Sequence, residues 1–384
     1  METALTRKRA ALRVLIVCLD NWNTLGEVPF VLKKAGSEVT VLCGKESWLL
    51  YSSYYDKWIE RPGDKTAIQK LVIQLAASGD YDWILPGDEP ILKLMNECEL
   101  DEELFTKILP LTKIENRALL SSKSGLASVC ERLGILAPRS VSIFPGEQND
   151  DILNSLQLPV IVKNEFSWGG TDMAIYDHLA ELKTRLEKNT DQHIVVQEYI
   201  EGREYPVEAF FHNGELKAFG VSQILTYDKD RFTYSTRRRY FNAPEVEAEL
   251  KKLGKLVGMN GFANIAFIKS DQNQQLYLIE IDTRPTSWVA YTRFAGVDFS
   301  SAIQRLGDKD AAVLSTPAGK QIEVALFHKD IRRCWYQRDI IGMLQWMVNY
   351  KGYWRFLPRY DKRLWSQIRK ELWNELIYSK FRKG

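Results

Sequence analysis

Histidine is scarce in this sequence, and the four present (His178, His193, His212, His328) stand apart without metal-ligand spacing. That argues against a histidine-built zinc centre, and no nucleophile–histidine arrangement is visible either. The five cysteines (Cys18, Cys43, Cys98, Cys130, Cys334) are an odd number, widely spaced and without a C-x-x-C pair. Reduced thiols in a cytoplasmic protein are therefore expected, not a disulfide framework. Charge of one sign is also lacking: the net charge is +2, which gives no overall reason to expect nucleic acid. Long apolar runs are missing. The stretch from Leu12 to Leu19 is interrupted by Arg13 and stopped by Asp20, too short for a signal core and far short of the roughly 20 residues of a membrane span. It reads instead as a first β-strand. The segment at its end, LDNWNTLG, lacks the G-x-G-x-x-G spacing, so dinucleotide binding there is poorly supported. No internal repeat or low-complexity segment is apparent.

What the sequence does have is material for cores: 384 residues at 45% hydrophobic and 11% aromatic content are enough for two or three domains. Residues 12–110 alternate short apolar strands (LRVLIVCLD, EVTVLC, YDWILPGDEP) with helical patterns (GEVPFVLKKAG, AIQKLVIQLAASG), which points to a doubly wound parallel sheet. Ligands of such sheets sit at the carboxyl ends of strands. The turns Asp20-Asn21 and Gly87-Asp88-Glu89 are thus either substrate contacts or ordinary turn chemistry. Next come a helix in SSKSGLASVCERLG, strands RSVSIF and LPVIVK, and a helix AELKTRLEK. From residue 194 strands predominate (IVVQEYI, EYPVEAFF, ELKAFGVSQIL, NIAFIKS, LYLIEID), with the helix PEVEAELKKLGKLVG among them. Grouped strands imply an antiparallel α+β unit, so the fold class is α/β plus α+β.

The stretch VIVKNEFSWGGTDM, residues 160–173, starts as a strand, ends its apolar run on Lys163 and breaks into a glycine loop. Glycines let the backbone come close to an anion, so Lys163 either faces a phosphate or is a solvated residue at a turn. In LIEIDTRP, strand alternation puts Glu280, Asp282 and Arg284 on one side. Two carboxylates so close call for relief, by Arg284 as an ion-pair partner or by a divalent cation shared with phosphates.

Taken in order, Lys123 in SSKSGLA, Lys163 with FSWGGTDM, VVQEYIEGREYPVE and YLIEIDTRP resemble the ATP-grasp superfamily over roughly residues 12–305. The resemblance implies a ligase that uses ATP and Mg²⁺ to join a carboxylate to an amine through an acyl phosphate. It divides the chain into an N-terminal α/β domain (1–115), a phosphate-loop lobe (116–200) and a metal-site lobe (201–328), with a helical extension (329–384) behind. It implies that Lys123 and Lys163 contact ATP phosphates and that the loop with Ser167, Gly169 and Gly170 folds over them. Glu198, Tyr199 and Ile200 would run along the adenine, Glu204 would bind the ribose, Glu280 and Asp282 would hold Mg²⁺, and Arg284 would steady the acyl phosphate. One departure stands out. The family commonly has a metal-holding carboxylate or glutamine where this chain has Ala266, and Asn264 on the same strand face is a substitute oxygen donor. One rival reading is therefore a degenerate ATP-binding regulatory protein; the other, a membrane-associated scaffold, rests on the basic C-terminal segment.

Two basic segments remain. In RFTYSTRRRYF, Arg237, Arg238 and Arg239 alternate faces, so at most two reach an anion together; the other reading is a solvated edge strand. Residues 329–384 hold 14 Lys and Arg against 5 Asp and Glu, with five of the eleven tryptophans. Ile340, Ile341, Leu344, Met347 and Val348 form one helical stripe, and Leu364, Ile368, Leu372 and Leu376 a second. Such stripes either pack on the protein's own body, dock on a membrane surface or partner, or join copies of the chain.

Overall fold

The computed structural model describes residues 11–147, 153–165, 173–188, 191–308 and 310–378. Near the N-terminus lies a parallel sheet of β1 (Arg13–Val17), β2 (Glu38–Cys43), β3 (Lys57–Glu60) and β4 (Trp83–Pro86), in the order β3-β2-β1-β4. β1 and β2 are apolar along nearly their whole length because helices cover both faces. The carboxyl ends of β1 and β4 open toward the centre of the molecule, bringing Thr24 and Glu89 to the cavity described below.

The second sheet is antiparallel and small: β5 (Ser140–Ile143), β6 (Val160–Asn164), β7 (Ala174–Tyr176) and β8 (Ile194–Glu198), ordered β5-β8-β6-β7. Its two faces follow from the period of two. Val160, Val162, Ile194 and Val196 point into a small core of their own with Leu182 of the helix Leu179–Glu187. The alternate residues Ile161, Lys163, Val195 and Gln197 face the cavity.

The third sheet is the largest: β9 (Gly202–His212), β10 (Glu215–Tyr227), β11 (Ser235–Phe241), β12 (Gly261–Ser270), β13 (Leu276–Asp282) and β14 (Ile322–Ala325), in the order β13-β12-β9-β10-β11-β14. Tyr205, Val207 and Ala209 of β9 with Ala263, Ile265 and Phe267 of β12 share a core with the helices Lys65–Ala77 and Pro244–Val257. Their alternates Glu204, Pro206, Asn264 and Ala266 face the cavity. β11 is not an edge strand: β14 pairs with it, and this corrects the solvated-edge reading of the arginine run.

The helices Phe327–Tyr336, Ile340–Met347 and Lys362–Tyr378 complete the chain. They are fixed to the rest by buried polar bonds. Asp330, fully buried, accepts from Thr236 Oγ1 (2.9 Å), Arg237 Nε (2.7 Å), Arg333 Nε (3.0 Å) and Trp346 Nε1 (2.6 Å). Asp361 accepts from Ser52 Oγ and Ser53 Oγ of the N-terminal domain at 3.0 and 2.9 Å. Trp346, Tyr353 and Phe356 share a core with β1, β2 and β14. Leu364, Ile368 and Leu372 pack on Trp48. Among the described residues, no helix is long and apolar enough to cross a membrane.

Candidate active site

A cavity of about 570 Å³ lies between the facing sides of the small and large antiparallel sheets, a volume in the range of small-molecule sites. Lys123, Lys163, Glu198, Tyr199, Ile200, Glu204, Glu280, Asp282 and Arg284, singled out in sequence, all line it. Ser167, Gly169 and Gly170 lie outside the described residues.

Lys123 opens the helix Lys123–Leu133, capped by Ser122, whose Oγ accepts from Gly125 N at 2.9 Å. The glycine of SSKSGLA has a steric reason. A Cβ on Gly125 would lie 1.8 Å from the Ala118 carbonyl oxygen, so only glycine lets this helix start so close to the preceding turn. Buried Glu165, just after β6, accepts from Ser122 Oγ (2.5 Å) and from Ser124 N and Oγ (3.0 and 2.9 Å), while Lys123 Nζ donates to the Glu165 carbonyl at 3.1 Å. Glu165 thereby holds Lys123 beside β6. Lys163 Nζ donates to Gln197 Oε1 across the strand pair at 2.8 Å. Burial lowers the pKa of Lys163 despite the opposing attraction of Glu280, and Lys123 adds to the lowering.

On the large sheet, Glu280 stands opposite Ala266, and Asp282 opposite Asn264. The ladder slips between the pairs 266/280 and 267/278, a bulge that inserts Ile279 ahead of the two acidic residues. Asp282 pairs with Arg284 at 2.8 Å. Burial raises Asp282 to about 7 against the pull of Arg284, and the negative charges of Glu280, Glu89 and Glu208 push in the same direction as burial. Glu204 is raised by burial and by Glu280. This end of the cavity is therefore crowded with negative charge. Among the described residues no set of three acids, histidines or cysteines is placed to enclose a metal alone. Glu280 and Asp282 do offer the one or two carboxylates that Mg²⁺ takes when phosphate oxygens and water supply the rest.

Three further residues, Glu208, Glu165 and Lys329, escaped the sequence reading; Glu89 stands there within the turn Gly87-Asp88-Glu89, as a substrate contact or ordinary turn chemistry. Glu208 is buried on β9 and accepts from Asn264 Nδ2 (2.6 Å), Arg238 (3.1 Å) and Thr286 Oγ1 (3.0 Å). The Asn264 amide is thus engaged by Glu208. Glu89, at the start of the helix Glu89–Asn96, lines the cavity and is raised by burial. Its neighbour Asp88 is turn chemistry: fully buried, it accepts from Leu19 N, Asp20 N and Ile91 N. Glu165 is the second of the three. The third is Lys329, from the helix Phe327–Tyr336, which reaches the same cavity. Its Nζ donates to Ser287 Oγ at 3.0 Å and lies 4.7 Å from the Tyr234 ring centre, with no ion pair among the described residues. Burial lowers its pKa to about 8, with Arg238 and Arg284 adding to the effect and Asp228 opposing it. Nothing in its spacing to residues 280–284 marks it, because more than forty residues of chain intervene.

The arginine run divides by strand alternation. Arg238 lines the cavity, stacked 4.5 Å from the Trp288 ring centre. Arg237 and Arg239 leave the other face, to Asp330 and to Glu323 at 2.7 Å each. One arginine of the three meets the cavity.

Comparison with known proteins agrees with this geometry. Residues 121–288 match the family model of the ATP-grasp domain. The carbamoyl phosphate synthase large chain of Clostridium beijerinckii is 28% identical over 180 residues, 44% of this chain and 16% of that protein. The carbamoyl-phosphate synthase of Methanobrevibacter smithii is 26% identical over 228 residues, 55% of this chain and 59% of that protein. The match thus spans about a sixth of the former relative and less than two thirds of the latter. Among solved structures, N5-carboxyaminoimidazole synthetase from Staphylococcus aureus, complexed with ADP, superposes with a TM-score of 0.62 at 17% identity, covering 82% of each chain. The L-amino acid ligase from Bacillus licheniformis superposes with a TM-score of 0.59 at 16% identity, covering 83% of this chain and 80% of that one. These two likenesses establish a shared fold.

Proposed function

Because residues 121–288 form an ATP-grasp domain, we propose that the protein is a ligase that uses ATP to join a carboxylate to an amine. The observation that carries this reading is the convergence of Lys123, Lys163, Glu280, Asp282 and Arg284, from both antiparallel sheets and the helix between them, on one cavity. The shared fold with a solved ligase and with a synthetase holding ADP supports it.

The chemistry sets the requirements. A carboxylate oxygen attacks the γ-phosphorus, the bond from that phosphorus to the β,γ-bridging oxygen breaks, and ADP leaves with the electron pair. Two anions must meet, and at 4 Å two unit charges repel by about 4 kcal/mol even at an effective dielectric of 20. Lys123 and Lys163 offset the charge of the phosphates, with Glu165 and Gln197 fixing their positions. Mg²⁺ held by Glu280 and Asp282 would neutralise phosphate oxygens alongside them. Arg284 and Lys329 receive the acid's carboxylate, and Arg284 then steadies the acyl phosphate. The amine nitrogen next attacks the acyl carbon, the carbon–oxygen bond to phosphate breaks, and the nitrogen sheds a proton. Glu198, Tyr199 and Ile200 flank the adenine, and Glu204 meets the ribose.

One observation favours a second reading. Ala266 stands directly opposite Glu280, where it can ligate nothing, which suits a protein that binds nucleotide without turnover. ADP release over a panel of carboxylates and amines, wild type beside Asp282→Ala, separates the two. The ligase reading expects release that requires both an acid and an amine and is lost in the variant. Tight MgATP binding with no turnover on any pair would favour the second.

A further inference from the structure

The two apolar stripes of the C-terminal helices meet different fates. Leu364, Ile368 and Leu372 are buried, whereas Ile340, Ile341, Leu344, Met347 and Val348 are between 49% and 71% exposed. These five occupy a single helix face, at i, i+1, i+4, i+7 and i+8. The helix cannot roll to hide them. Its opposite face is clamped by Trp346, whose Nε1 donates to Asp330, and by Gly342, where an added Cβ would sit 2.6 Å from Cys334 Sγ. The apolar face is thus presented to solvent by a rigid support.

Charge around it is sorted by sign. None of the five acids of residues 329–384 is exposed. Asp330 and Asp361 are buried, Asp339 and Glu375 are half-buried and pair with Arg333 and Arg332, and Glu371 is half-buried. Eight lysines and arginines between 338 and 370 are exposed, Arg338, Arg355 and Arg359 among them, while Lys351 pairs with Glu323 at 3.1 Å. Tyr336, Tyr350 and Trp354 are exposed beside them, the aromatic type that sits at the headgroup level of bilayers. A second copy of the chain would set like charges against each other. An apolar stripe with Arg338 just before its helix, and Arg355 on the segment packed against that helix, is complementary to an anionic lipid surface.

We propose that this face docks the protein peripherally on an anionic bilayer, with Ile340, Ile341, Leu344, Met347 and Val348 inserted among the lipids and the neighbouring arginines on the headgroups. The proposal stands on observations separate from the active site. The test is flotation of the full chain with vesicles of phosphatidylglycerol and phosphatidylcholine in equal parts, or of phosphatidylcholine alone. Wild type is expected to float with the anionic vesicles and at least tenfold less with the neutral ones. Ile341→Asp combined with Leu344→Asp is expected to lose at least tenfold, and Arg355→Glu combined with Arg359→Glu to erase the preference for anionic lipid. All four positions are exposed, so unchanged thermal melting checks that each variant folds. Wild type left unfloated by anionic vesicles, or the aspartate pair floating like wild type, would overturn the proposal. So would a wild-type dimer in sedimentation that the aspartate pair dissolves without any vesicle binding, since a second copy would then be the occupant.

Discussion

The two cationic ends of the cavity are built in opposite ways. On the small sheet, Lys163 hangs on the uncharged Gln197, and its supporting core contains only that sheet and the segments packed on it. On the large sheet, Arg238 and Arg284 are each tied to a carboxylate and stacked on a tryptophan, while Lys329 is brought in by a helix that shares the main core. Each end is thereby suited to a different anion. A lysine held by a neutral acceptor keeps its charge for a polyanion. A network of paired arginines with one buried lysine that has no ion pair among the described residues is fixed in place and suits a single anionic group, because a buried unpaired cation is costly until its counter-ion arrives.

Substitutions at the two ends should therefore part company. Lys163→Met is expected to lower ADP release about a thousandfold, the range seen when one preorganised charge is removed from a transition state. A loss confined to the KM of the acid would break the comparison. Asp330→Ala leaves Arg237 buried without its carboxylate and Arg333 with Asp339 alone, and denaturant unfolding is expected to report a loss of about 3 kcal/mol or more. The same change should loosen Lys329 while leaving the small sheet's own core intact. Lys329→Met is expected to raise the KM of the acid roughly tenfold to thirtyfold with the KM of ATP unchanged, about 1.4 to 2 kcal/mol. Its pH signature sharpens the point. The ammonium is lost as pH rises through about 8, so the wild-type KM for the acid should climb above pH 8 and that of Lys329→Met should not. The smallest effect concerns the neighbour His328, which burial lowers to about 3. Its folded-state pKa lies below the unfolded value, so the unfolded chain binds the proton first as pH falls below 6.5 and stability drops. The expected loss is about 1 kcal/mol between pH 6.5 and 5.5, absent in His328→Phe when chemical unfolding is followed at both values.

Much of this was legible in the chain, and the reason is local chemistry. Strand alternation sets Glu280, Asp282 and Arg284 toward one cavity because the bulge at Ile279 lies ahead of all three, and the apolar runs mark the parallel sheet. Glu208 and Arg238 were harder, since a carboxylate within a strand and one arginine of three carry no spacing signal; their partnership exists only because β9, β10 and β11 lie side by side. Lys329 was read as part of a basic tail. Only the folding of its helix against the large sheet brings it to the cavity. The two apolar stripes looked alike in sequence, and which one is buried depends on where Trp346 and Gly342 anchor the first helix.

Whether these cations and carboxylates converge on a triphosphate is tested, without knowledge of the acid or the amine, by calorimetric titration of MgATP into wild type, Lys163→Met and Glu280→Gln. One-to-one binding by wild type, weakened at least tenfold in both variants, is the result expected. Failure of wild type to bind MgATP, or equal binding by all three proteins, would contradict that convergence.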